Sequence, residues 1–444
     1  MKNLLKLLSM FAIVLAVVTS CKEDDPIDPT PEPEFTIVEG EISTAVTLDA
    51  TKKYMLRGKV YVLAGGSLTI PAGTLVVGEK ATDGTLIVNR GGQLFSNGTA
   101  DKPVIMTSEA PKGFRNRGDW GGVVICGNST TNGNESSTIE GISGEAGSEN
   151  GVYGPGGNLQ INQNSGTITY TRIEFAGIDL SQDNELNSLT MGSVGSGTTI
   201  HHVVVSYAND DAYEWFGGTN NLSYLIAYNT LDDDFDTDRG FTGNVQYGLV
   251  VREKATADIS TSRAFECSSN NSASASPHSA PKFANITVMG PRLFGSSINT
   301  LYGAAVEINS NSNIEVHNSI ISGFPIGMRL NTAGPDGKVT GSVFANNTTL
   351  FTLSGGSTID TAAFEAANVT DATAEQIWGT TSFDFNPLGP IFQASTSPYL
   401  TGAPNISAAG FESQPFYGAF GTAPHAGWDW NGGWIELDPI NADY

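Results

Sequence analysis

The sequence predicts an all-β chain wound as a right-handed parallel β-helix, a solenoid, and three observations lead there. Two stretches 22 residues apart match apolar run on apolar run and acid on acid. They are Val203-Val204-Val205-Ser206-Tyr207-Ala208-Asn209-Asp210-Asp211-Ala212-Tyr213-Glu214 and Leu225-Ile226-Ala227-Tyr228-Asn229-Thr230-Leu231-Asp232-Asp233-Asp234-Phe235-Asp236. Runs beginning near Ile168, Ile200, Leu222, Val245, Phe283, Val316 and Val339 follow one another at 32, 22, 23, 38, 33 and 23 residues, a basic step of 22 or 23 with loop insertions. Glycine is 52 of 444 residues and only 15% are charged, with Gly, Asn, Asp and Ser clusters separating short β-rich runs. A constant step is what stacked coils require, each lying about 4.8 Å above the last. A sandwich needs no such step, and propeller blades need about twice this period.

The elements follow in order. Residues 1–20 read as a secretion signal, with Lys2 and Lys6 ahead of an apolar stretch from Leu7 to Val18 that falls short of the roughly 20 residues of a membrane span. Val18-Thr19-Ser20-Cys21 fits a lipobox, so Cys21 is the expected site of lipidation, with an ordinary signal peptide and an incidental cysteine as the plainer alternative. Residues 21–39 are then a lipidated, acidic, proline-rich tether that lacks the apolar content to fold. The runs at Gly73, Gly84, Gly92, Pro103 and Gly122 begin 8 to 19 residues apart, so several strands share one coil, and the β-helix is assigned to 40–400. Residues 361–379 are the one plausible helical stretch. They and the aromatic tail within 401–444 are expected to cap the solenoid, whose ends otherwise expose strand edges.

Without the leader the chain carries 20 basic and 46 acidic residues, a net charge of −26. Such a surface repels phosphates, so nucleic acid is excluded as a partner, while divalent cations, neutral glycans or a basic protein are compatible with it. Cys126 and Cys267 lie 141 residues apart and are read as separate buried thiols ahead of a disulfide.

Leu68-Thr69-Ile70-Pro71-Ala72-Gly73, Gly92-Gln93-Leu94, Asn97-Gly98-Thr99 with Lys102-Pro103-Val104, and Gly118-Asp119-Trp120-Gly121-Gly122 resemble the opening coils of a widespread group of secreted bacterial proteins with right-handed β-helices. The ending, Tyr417-Gly418-Ala419-Phe420-Gly421 followed by Trp428, Gly433-Trp434 and Asp438-Pro439, is similar to the ending of the same group. Lys22-Glu23-Asp24-Asp25 resembles the tag that sends lipoproteins of Bacteroidota to the outer face of the outer membrane. The resemblance implies a surface lipoprotein, some of whose relatives are encoded near TonB-dependent receptors. Pectate lyases and polygalacturonases share the fold, but a fold does not transfer its chemistry.

The residues that could carry chemistry are the central acids Asp210, Asp211, Glu214, Asp232, Asp233, Asp234, Asp236 and Asp238. Two carboxylates stacked about 4.8 Å apart repel by roughly 3.5 kcal/mol at an effective dielectric of 20. Several on one edge therefore call for a cation, raised pKa values or full solvation. An all-oxygen donor set without His or Cys suits a structural Ca²⁺, and the alternating acids of 232–238 before Gly240 resemble half of a calcium loop. Solvated acids are the bland reading. A Ca²⁺-dependent polysaccharide lyase with Arg239, Arg252 or Lys254 as base, or a glycoside hydrolase with paired Asp residues, is the catalytic one. Tyr213 and Phe235 are equivalent and read as an interior stack. Trp215 and Phe216, ahead of a Gly-Gly turn, read as exposed, so Trp215 and Arg239 are taken as ligand-binding candidates. Trp428, Trp430 and Trp434 suit a cap better than a sugar platform. His201 and His202 are expected on opposite faces of one strand.

These readings converge on a lipid-anchored outer-membrane protein facing the exterior that binds a ligand, a glycan or a TonB-dependent receptor without catalysis. The lyase or hydrolase, and an adhesin or scaffold, are the alternatives.

Overall fold

The computed structural model describes residues 35–444 apart from 143–147, 182–183, 270–271, 273, 310, 332–337, 386–390 and 407–409; the side chains of 180–184 are likewise not described. Cys21 and the leader lie outside the described residues. Twenty-six strands join in one system of parallel pairings, and two small antiparallel hairpins stand beside it. Each coil contributes to three ladders. Ladder A runs through segments such as 171–174, 203–206, 225–228 and 248–251. Ladder B runs through Leu189–Gly192, Tyr213–Phe216, Phe235–Asp238 and Phe265–Cys267. Ladder C holds Ile168, Ile200, Leu222, Val245, Phe283, Val316 and Val339 stacked one on the next, the residues whose spacing set the step. The fold is thus the solenoid that the repeat required, and the propeller alternative is gone.

The boundaries differ from the expectation at both ends. The first strand, Phe35–Ile42, begins inside the segment assigned to the tether and pairs with Lys53–Val62, because the β-prone run Phe35-Thr36-Ile37-Val38 can extend a sheet. The last rung is Val369–Ala372, well before residue 400. The expected helical stretch is two short helices, Thr361–Ala367 and Ala374–Trp378, split by that rung. The second opens with a Thr373/Gln376 capping box and closes on Gly379 at φ 72°.

A single left-handed residue turns ladder C into ladder A in coil after coil: Tyr170, His202, Tyr224, Tyr247, Asn285 and Asn318 have φ between 45° and 65°. Side chains of equivalent corners therefore stack, and the rings of Tyr170, His202, Tyr224 and Tyr247 form a column with centroids 4.3, 4.3 and 4.9 Å apart. The corner also overturns the separation expected for His201 and His202. A left-handed residue breaks the strand's alternation, and their Nδ1 atoms come within 2.8 Å.

Ladder A is apolar on both faces, as its unbroken runs demand. Val203, Val205, Leu225, Ala227 and Val250 join the interior, whereas Val204, Ile226, Leu249 and Val251 form a second core with the segment that follows the solenoid. That segment runs back along the coils as a strap. The Gly418 N–H donates to Asn318 O at 2.7 Å, His202 Nε2 donates to Gly427 O at 2.6 Å, Arg172 Nε to Trp434 O at 3.1 Å, and Arg115 Nη1 to Pro439 O at 2.6 Å. The Tyr444 hydroxyl donates to Glu174 at 2.7 Å. Trp428 and Trp434 are fully buried beneath the strap, so they cap the flank and offer no face to a sugar. Cys126 and Cys267 are buried free thiols, and burial pushes each up to about 12.

A candidate cation site on the carboxylate edge

The site is built at the turn from ladder A to ladder B. Leu189, Tyr213, Phe235 and Phe265 stand in register and point inward, so the residues before them are equivalent too. Two positions earlier come Asn187, Asp211, Asp233 and Arg263. They form a file in which each side-chain oxygen accepts from the backbone of the next coil. Asp211 N–H donates to Asn187 Oδ1 at 3.0 Å, Asp233 N–H to Asp211 Oδ1 at 2.8 Å, and Arg263 N–H to Asp233 Oδ1 at 2.5 Å. One position earlier than Leu189 and its equivalents come Ser188, Ala212, Asp234 and Ala264. Asp234 therefore occupies a slot that otherwise holds small side chains. It is wholly buried against an equally buried Arg252 at 3.1 Å, and burial pushes its carboxyl up to about 7 against the pull of that guanidinium.

On ladder B, alternation puts Glu214, Asp236, Glu266 and Glu307 in one vertical file on the face opposite the stacked rings of Tyr213, Phe235 and Phe265, with Arg329 below them. The lower half of this edge is neutralised. Arg263 reaches Asp233 at 3.5 Å, Glu266 at 2.8 Å and Glu307 at 2.8 Å, and Arg329 meets Glu307 at 3.0 Å. In the upper half, no described Lys or Arg forms an ion pair with Asp210, Asp211, Glu214, Asp232 or Asp236. There one oxygen each from Asp210, Asp211 and Asp232 lie within 4.8 Å of one another, and so do oxygens of Asp211, Glu214 and Asp236. Asp211 belongs to both groups.

Burial first, and neighbouring carboxylates second, push Asp210, Asp211, Glu214 and Asp236 well above the usual carboxylate range. Burial raises Asp232 to about 6, opposed by a hydrogen bond from Ser260. Glu214 accepts from Asn187 Nδ2. The Oδ1 atoms of Asp232 and Asp236 are buried without a partner among the described residues, an expensive state for a carboxylate unless a cation satisfies it.

Of the eight acids expected to gather as ligands, five converge here. Asp234 does not, since its place is inside the turn. Asp233 is turned to Arg263, and Asp238 lies next to Arg239, 3.6 Å away at its carboxylate. Trp215 is fully buried, stacked on Phe241 at 5.2 Å, and cannot meet a ligand. Its parity should have said so, because it lies two residues after the inward Tyr213. Arg239 is 53% exposed beside Asp238, past the end of the ladder B strand, whereas Arg252 is locked inside and cannot act as a base. The reading missed Asn187, Arg263, Glu266 and Glu307. Carrying the repeat one coil on, Phe265-Glu266-Cys267 under Phe235-Asp236-Thr237, would have found Glu266.

The arrangement defines a class of protein, a parallel β-helix with an oxygen-only, carboxylate-rich edge on one sheet. A family model described as the pectate-lyase-like β-helix domain matches residues 40–384, and the chain belongs to that family. No curated protein and no solved structure matches the chain.

Proposed function

We propose that the chain is a surface lipoprotein, anchored in the outer membrane through Cys21, that binds its ligand without turning it over and uses Ca²⁺ to hold its central coils together. One observation carries the cation half: two groups of three carboxylates that share Asp211, with buried oxygens of Asp232 and Asp236 that lack a partner among the described residues, form no ion pair with a described Lys or Arg. Asp210, Asp211, Glu214, Asp232 and Asp236 would hold the ion, which supplies charge neutralisation between neighbouring coils. Hard oxygen donors of irregular geometry favour Ca²⁺ over Zn²⁺ or Mg²⁺. The arginines packed beside the site, Arg252 and Arg263, are consumed by ion pairs, which favours a structural role over proton abstraction. The lipobox and the acids after it support display on the cell exterior, with a glycan or a TonB-dependent transporter as the partner.

Protease treatment of intact cells tests the placement: wild-type chain is digested, and a Cys21→Ala chain is lost from the membrane fraction. A chain that intact cells protect would overturn surface display.

The second reading is a Ca²⁺-dependent lyase on an acidic polysaccharide, for which Arg239, 53% exposed beside Asp238, is accessible as a base. Unsaturated uronate ends, followed by ultraviolet absorbance with oligogalacturonate and Ca²⁺, separate the two. Turnover abolished by Arg239→Ala would replace the binding proposal.

A further inference from the structure

The insertion between Gly127 and Gly166 leaves the turn from ladder B to ladder C and folds back over it. This is the opposite edge of ladder B from the carboxylates. Between the insertion and the coils lies a cleft of about 520 Å³, within the roughly 300–1,000 Å³ of small-ligand sites. Its walls are amides: Gln93, Asn128, Asn158, Gln160 and Asn164 line it over the buried Gln163.

Each amide is tied down at one end. Gln93 Nε2 donates to Asn164 O at 3.3 Å, Asn128 Nδ2 to Asn158 O at 3.0 Å, and Gln160 Nε2 to Asn158 Oδ1 at 3.3 Å; Asn164 Oδ1 accepts from Gly166 N–H at 2.7 Å. The opposite ends have no partner among the described residues. They are three acceptors, Gln93 Oε1, Asn128 Oδ1 and Gln160 Oε1, and two donors, the Nδ2 groups of Asn158 and Asn164. For Gln93, Asn128 and Asn164 the anchor is a backbone group, which fixes which end is free. The two charged side chains in the lining cancel, since Arg90 pairs with Glu149 and gives its two Nη1 donors to Ser136 Oγ and Gly154 O.

A phosphate or sulfate asks for donors and positive charge, and a metal ion asks for acceptors alone. A neutral polyol asks for both, because every hydroxyl donates and accepts. The chain's net charge of −24 further disfavours anionic ligands. We infer that this cleft binds a short neutral oligosaccharide, its hydroxyls read by preset amides. The inference rests on the binding reading above and adds where the ligand sits and what it is.

The test uses the full-length chain in detergent against neutral di- to tetrasaccharides cut from glucan, mannan, xylan and galactan, with oligogalacturonate alongside, followed by calorimetry. A neutral oligosaccharide should bind, and Asn128→Ala with Gln160→Ala should weaken it at least tenfold with an unchanged melting temperature. Asn128→Asp should weaken it as well, by adding charge to the cleft. Binding that these variants leave untouched would overturn the site and spare the binding protein. Oligogalacturonate as sole ligand would overturn the neutral class, and no binding by any neutral sugar would overturn the inference while surface anchoring is judged on its own.

Discussion

Removing Ca²⁺ should make the stability of this protein depend on pH in a direction opposite to that of most acid-labile proteins. The carboxyl of Asp232 is raised from 3.8 to about 6 in the fold. A carboxyl with a raised folded pKa contributes stability that is complete below its unfolded pKa and is lost as pH rises through the folded one. The window therefore runs from about pH 4 to pH 7. The full shift corresponds to about 3 kcal/mol for Asp232 alone, with Asp210, Asp211, Glu214 and Asp236 shifted in the same direction. At about 2.1 cal/mol/K per residue, some 410 folded residues lose about 0.9 kcal/mol of stability per kelvin near the transition, so 3 kcal/mol moves the melting temperature by about 3 to 4 °C. Between pH 5.5 and pH 8 Asp232 itself loses about 0.8 kcal/mol, or about 1 °C, and the other four acids add to it, so differential scanning calorimetry in EDTA should show a lower melting temperature at pH 8 than at pH 5.5. Ca²⁺ at a hundredfold excess over its dissociation constant should restore about 2.7 kcal/mol, or about 3 °C, at pH 8. Glu214→Gln with Asp236→Asn should raise the EDTA melting temperature at pH 8 and erase the response to Ca²⁺. Identical melts in EDTA and Ca²⁺ at pH 8 would refute the reasoning, whatever the pH trend.

Three further outcomes follow from the same geometry. Arg252→Met takes away the guanidinium that holds the Asp234 carboxyl down, leaves that group buried without its ion-pair partner, and should cost about 3–5 kcal/mol by denaturant unfolding, whereas Arg252→Met with Asp234→Ala should recover most of it, since alanine already fills that slot in two neighbouring coils. The Cys126 and Cys267 thiols should resist a thiol reagent in the native protein and react in guanidinium; a mass two hydrogen atoms lighter, marking a disulfide, would contradict the fold. Trp434→Ala should cost about 3–5 kcal/mol by opening the second core, and an unchanged midpoint would show that the strap does not pack as described.

Much of the fold was readable because stacking writes itself into the sequence at a fixed interval. Ile168 through Val339 are seven rungs of one ladder, and Tyr213 over Phe235 is a real interior stack. What the interval could not carry is what happens off the strands. Asp234 looked like one more member of an alternating acid run, but the chain bends before Phe235, and the turn rather than the parity decides where it points. The pairing of His201 with His202 depends on a backbone angle, and neither residue type announces a left-handed corner. Arg263 was invisible as the partner of Asp233 because the insertion over 253–262 hides that the two are one coil apart. Trp215 was legible and misread, since local Gly-Gly turn chemistry was weighed above the period of two.

The strap has a consequence for biosynthesis. Ribosomes deliver the coils first and the covering segment last, so a nascent chain completes its stacked sheets while Val204, Ile226, Leu249 and Val251 still face water. That greasy flank stays open until the closing tryptophans, Trp428 and Trp434, emerge. Until then the unfinished molecule carries an aggregation-prone face, and premature termination anywhere in its last tenth yields a spool that sticks to its neighbours.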